Sequence, residues 1–143
     1  MNNELNKLLS DLAVFYRKLQ NYHWNIKGSD FFTVHAKLEE YYDDVNKQID
    51  EIAEHLLILG YEPLGTLKDY LANTNIQEAS NEKILSCQIF QEVKKDLETL
   101  LNRAKRIKKM AEGEEEYVTS SLMDGYMEDY SKKIWMISQM QES

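Results

Sequence analysis

Apolar residues recur along this chain at intervals of three and four, the spacing that gathers them on one face of an α-helix. In the first segment the series is Leu5, Leu8, Leu9, Leu12, Phe15, Tyr16, Leu19, Tyr22, His23 and Ile26. The second reads Leu38, Tyr42, Val45, Ile49, Ile52, Leu56 and Leu59. A third, from about Ile84 to Ala111, carries Ile89, Phe90, Val93, Leu97, Leu100, Leu101, Ala104 and Ile107, and a fourth continues through Leu122, Tyr126, Tyr130, Ile134 and Ile137. Glu114, Glu115 and Glu116 suit the positive end of a helix dipole, so the fourth helix is expected to open on them. No segment shows the alternation of a half-buried strand.

Glycine and proline supply the breaks. The only proline is Pro63, and Gly28, Gly60, Gly65 and Gly113 fall between the periodic segments, so four helices are predicted. The first two are joined tightly around Gly28-Ser29-Asp30 and should be antiparallel. About twenty residues, from Gly60 to about Ser80, separate the second and third, too many for a plain bundle turn. The LKDYL run, Leu67 to Leu71, is amphipathic and predicts a short extra helix inside a long crossover. Such a connection is what a ferritin-like bundle needs to run up, down, down, up. The predicted fold is an all-α ferritin-like four-helix bundle, one domain over residues 1–143.

Composition narrows the function. No stretch approaches the roughly twenty uninterrupted apolar residues of a membrane span, and MNNELNKLLSDL carries carboxylates where a signal peptide needs a positive region and an apolar block. A soluble, cytoplasmic protein with no membrane partner is expected. The lone Cys87 cannot form an internal disulfide, which fits a reducing compartment, and reads as a small residue on a helix. The formal net charge is -8, from 17 basic and 25 acidic residues, so the long-range field repels phosphate backbones and attracts cations.

Two of the three histidines stand where helix geometry makes them suggestive. With His35 set at zero on the second helix, Glu39 falls at about 40°, Asp50 at about 60° and Glu54 at about 100°, one strip beside the apolar stripe. Glu39 and Asp50 lie roughly 16 Å apart along the axis, beyond the span of one metal site. One helix cannot close such a site. Two copies packed antiparallel about a two-fold axis would bring the His35/Glu39 end of one beside the Asp50/Glu54 end of the other, making two identical sites. His23, at the end of the first helix, can join the His35 side. Two imidazoles and three carboxylates suit ferrous and ferric iron, with manganese or zinc as competitors. The Glu-x-x-His pairs of larger di-iron bundles are absent, and His55, near 200° on the same wheel, is expected to be exposed.

The run Asn21-Tyr22-His23-Trp24-Asn25-Ile26-Lys27-Gly28, then Phe31-Phe32-Thr33-Val34-His35, Glu39-Glu40 and Asp50-Glu51-Ile52-Ala53-Glu54, resembles the signature of the Dps family of bacterial mini-ferritins. Lys133-Ile134-Trp135-Met136 resembles the family's closing motif, so the likeness spans nearly the whole chain. It implies a hollow shell of twelve subunits, ferroxidase centres at the two-fold interfaces with His23, His35, Glu39, Asp50 and Glu54 as ligands, and hydrogen peroxide as preferred oxidant of ferrous iron. It also implies a role for Trp24 as sacrificial electron donor, beside the bland role of packing at a helix end. Acidic three-fold pores for iron uptake would draw on Glu116, Asp124 and Glu128, for which a solvated acidic face is the alternative. Two departures stand out: Glu39 where many members have Asp, and His55 in place of an arginine that commonly follows the Ala-Glu pair.

Two other functions compete with iron oxidation and storage. A DNA-compacting protein of this family resembles a shell with a lysine-rich tail, whereas Met1 to Asn6 contains no basic residue and the sequence given runs eight residues past Trp135. The basic cluster Arg103 to Lys109 reads as a solvated helix face. A shell that activates immune cells is the third possibility, known among tail-less, acidic relatives.

Overall fold

A computed structural model describes residues 1–141. Helix α1 spans Asn2–Asn25, α2 Phe31–Ile58, α3 Leu67–Asn73, α4 Ser86–Gly113 and α5 Tyr117–Gln141. Four long helices and the short crossover helix are thus those the periodicity predicts. A parallel two-residue pair, β1 (Ile26–Lys27) with β2 (Ile84–Leu85), has no counterpart in the prediction. Ile84, expected to start the third helix, instead pairs with Ile26, and the helix begins at Ser86. Two residues are too few to display a period of two.

Side-chain ladders fix the directions. His23 meets His35 and Tyr16 meets Tyr42, so α1 and α2 are antiparallel. Lys18 pairs with Asp96 at 2.8 Å and Arg103 with Asp11 at 3.2 Å, so α1 and α4 are antiparallel too. Lys133 bonds Asp44 while His55 meets Thr119, setting α5 against α2. The order is up, down, down, up. Leu5, Leu12, Leu19, Leu38, Ile52, Ile89, Leu97 and Ile107 are all fully buried between the helices, where their apolar surface supplies the main driving force.

The crossover is tied down along α1 by polar side chains. Asn6 Oδ1 accepts from the Leu64 amide at 2.9 Å, Asp11 Oδ1 from Thr74 and the Asn75 amide at 2.7 Å each, and Asn21 Nδ2 donates to the Ala79 carbonyl at 3.3 Å. Thr66 caps α3 by accepting from the Asp69 amide.

Helix ends differ in an instructive way. After α2, Tyr61 N–H bonds the Leu56 carbonyl and Gly60 N–H bonds that of Leu57, with Gly60 at φ 87° in the left-handed conformation this cap requires. After α4 the same double bond forms from Glu116 to Ala111 and Glu115 to Glu112, yet the left-handed position, φ 58°, is held by Glu115. Of the three glutamates only Glu116 therefore opens the last helix, its carbonyl accepting from the Ser120 amide at 3.1 Å. Glu114 and Glu115 close α4, and α5 begins at Tyr117. Among the described residues no helix is long and apolar enough to cross a membrane.

Candidate metal centre

His23 ends α1, and His35 stands in the early turns of α2, across the Gly28 turn. Gly28 adopts φ 123°, a conformation L side chains rarely take, and Asp30 after it accepts from Ser86 Oγ at 2.5 Å. This clasp, with the β1–β2 pair, sets the two helix ends against each other. The imidazoles stack with centroids 3.6 Å apart and planes 11° off parallel, and Phe31 stacks on the other face of His35 at 4.8 Å.

Their hydrogen bonds decide their chemistry. His23 Nδ1 lies 2.6 Å from the His35 carbonyl oxygen, and His35 Nδ1 lies 2.7 Å from that of His23. A carbonyl only accepts, so each Nδ1 must carry the proton and donate it. In a neutral ring that leaves Nε2 with a free lone pair, the tautomer a metal ligand needs, oriented by its partner's backbone. His23 Nε2 faces Glu39 Oε1 at 3.7 Å. Two electron-rich atoms at that spacing are suited to share a cation between them.

The structure therefore brings His23, His35 and Glu39 to one end of the α1–α2 pair. Asp50 and Glu54 form a second group further along α2, both exposed. Hydrogen bonding and charge from Asp50 raise the Glu54 carboxyl above its usual range, the strain of two acids one helical turn apart. Within one chain no group of three or more His, Cys, Asp or Glu among the described residues could hold a metal ion. Each half is incomplete alone. Trp24, next to His23, is 54% exposed, with the Arg17 guanidinium 6.0 Å over its ring.

The acidic residues near the last helix are not equivalent. Asp124 is bound by Lys108 at 2.8 Å, and the same ammonium reaches Glu112 at 3.2 Å. Glu116 is half-buried and Glu128 exposed. Asp124 thus carries its own counter-ion.

Two expectations are corrected. His55 is buried rather than exposed, its Nε2 sharing a 2.7 Å hydrogen bond with Thr119 Oγ1, and burial lowers its pKa against the opposing pull of the Glu116 charge. It faces α5, which covers a side of α2 well away from the apolar stripe. Arg103 is likewise not part of a solvated basic face: it is buried, with Nε on Asp11 and Nη1 on Glu4 at 2.7 Å.

The family profile described as Ferritin-like domain matches residues 2–143. DNA protection during starvation protein 2 of Bacillus anthracis is 38% identical over 133 residues, 93% of this chain and 90% of that protein. Antigen TpF1 from Treponema pallidum superposes with a TM-score of 0.97 at 34% identity, over 99% of this chain and 91% of that one. A DPS protein from Vibrio cholerae O1, described as a member of a broad superfamily of ferritin-like diiron-carboxylate proteins, gives 0.96 at 35% identity over 99% of this chain and 88% of its own.

Proposed function

The chain belongs to the ferritin-like domain family, in its Dps branch, and from that premise we propose that it oxidises ferrous iron with hydrogen peroxide at sites shared by two subunits and stores the ferric product in a hollow twelve-subunit shell, in the cytoplasm. The observation that carries the reading is the crossed pair of Nδ1 hydrogen bonds, which turns two Nε2 lone pairs and Glu39 into a ligand half-set. A second half-set, Asp50 and Glu54, lies along the same helix, so an antiparallel dimer of α2 completes two sites at once.

The chain's own part in the reaction is to hold two ferrous ions close together in a mixed nitrogen and oxygen environment. Two ferrous ions then supply both electrons that one peroxide needs: 2 Fe2+ + H2O2 + 2 H+ → 2 Fe3+ + 2 H2O. No one-electron product is released. Carboxylates favour the ferric state by charge, and the imidazoles keep affinity for the ferrous one. A net charge of -8 per chain, through Glu116 and Glu128 among others, draws cations towards the shell and disfavours duplex DNA as a partner, while Asp124 is already paired with Lys108.

The test is anaerobic ferrous loading of the purified protein followed by peroxide titration. Two irons consumed per peroxide, lost in the variant lacking both His23 and His35, supports the proposal. Iron oxidation unaffected by those replacements would refute it.

A further inference from the structure

Seven residues are two helical turns to within about 20°, so Tyr16 lies two turns before His23 on the same face of α1 and Tyr42 two turns after His35 on α2. The two tyrosines meet in the seam directly behind the histidines. Tyr42 presents its ring to His23 edge-on, 5.3 Å between centroids at 84°, and Tyr16 packs on Tyr42 at 5.7 Å and 87°. Both spacings are those of aromatic rings in contact. Both residues are half-buried and packed against the core, while Trp24 projects outwards beneath a guanidinium whose charge opposes loss of an electron from its ring.

We propose that Tyr42 and Tyr16 form an electron relay serving the oxidation site when it holds a single ferrous ion, an inference that rests on the function proposed above. One ferrous ion supplies one electron, and peroxide reduced by one electron splits into hydroxide and hydroxyl radical. A phenol supplies the second electron together with a proton: Fe2+ + H2O2 + Tyr–OH + H+ → Fe3+ + Tyr–O• + 2 H2O. The O–O bond breaks, iron and Tyr42 are each oxidised by one electron, and both oxygens leave as water. The radical then passes to the second ring, Tyr42–O• + Tyr16–OH → Tyr42–OH + Tyr16–O•, which places it one ring further from the reacting oxygen. Tyr16 Oη already accepts a hydrogen bond from Gln20 Nε2 at 3.2 Å, leaving its own hydrogen free to transfer.

The test uses the assembled protein loaded anaerobically with about one ferrous ion per site, mixed with peroxide and freeze-quenched for electron paramagnetic resonance. Wild type, Tyr42→Phe, Tyr16→Phe and Trp24→Phe are compared, with wild type also made from ring-deuterated tyrosine. Phenylalanine keeps both ring contacts, and circular dichroism of each variant checks that the helices are retained. The expected result is an organic radical whose hyperfine lines narrow on deuteration, lost in Tyr42→Phe, where a spin trap instead captures hydroxyl radical. In Tyr16→Phe the signal should persist with a different hyperfine pattern and a shorter life. A signal indifferent to deuteration, or lost only in Trp24→Phe, overturns the relay while leaving iron oxidation intact. An unaltered pattern in Tyr16→Phe overturns the second ring's part. Failure of the wild type to oxidise iron with peroxide at any loading refutes the underlying function, and the relay with it.

Discussion

At Asp11 two distant parts of the chain, the crossover and α4, converge on one fully buried carboxylate of α1. Oδ1 accepts from Thr74 and the Asn75 amide, and Oδ2 accepts from Arg103. Removing a partner from a buried ion pair leaves an uncompensated charge and orphaned donors, a loss of about 3–5 kcal/mol. Asp11→Ala should therefore lower the urea midpoint steeply, and Asp11→Asn, which retains an acceptor for Thr74 and Asn75, should lower it less. Sequence reasoning had no means of finding this hub, because a lone Asp among Leu8, Leu9 and Leu12 looks like an interruption of an apolar stripe. The histidines were legible for the opposite reason: His23 and His35 flank a recognisable turn. What spacing could not show is that each ring's Nδ1 is committed to the other's backbone.

The seam between α2 and α5 explains what hydrophobic periodicity misses among the elements. It is built from Lys133 on Asp44 and Asp129, Tyr130 on Gln48, Tyr126 on Glu51 and His55 on Thr119. On the α2 wheel these positions fall at about 160–220°, outside the apolar stripe centred near 300°, so a polar contact face reads as a solvated one. His55 makes the seam pH-sensitive. Its pKa is depressed in the folded state, so as pH falls below 6.5 the unfolded chain takes up a proton first and stability is lost. Thermal midpoints between about pH 5 and 8 should show a decline towards acid that is shallower in His55→Gln. The turn into α5 offers a second check. Glu115 holds a left-handed conformation that glycine adopts without penalty, so Glu115→Gly should raise stability by about 1 kcal/mol in denaturant unfolding. Glycine and proline positions predicted where helices separate, but Gly113 lies two residues before Glu115, where the backbone takes the left-handed conformation.

For the whole molecule, the bundle, its direction and the crossover helix all followed from spacing, because long amphipathic segments and one overlong connection leave few topologies. The shared site is a matter of assembly. A subunit carrying His23→Ala and His35→Ala, co-expressed with one carrying Asp50→Ala and Glu54→Ala, should regain peroxide-driven iron oxidation that neither has alone, to about half of wild type in mixed dimers. Stopped-flow oxidation on shells shown by mass spectrometry to contain both variants reads the outcome, and no recovery would place each site within one chain.

The crossover that lays itself along α1 also has a kinetic meaning. The histidine stack closes a loop of 12 residues, whereas the Asp11 contacts join residues 63 and 92 apart and the α2–α5 seam spans up to 89. Loop-closure entropy rises with these separations, so local hairpins form ahead of long-range docking. Pulse-labelled hydrogen exchange during refolding should protect amides around His23 and His35 before those of Asn75 and the α5 face of α2. That order would put the histidine pair in place before the long connection docks along α1.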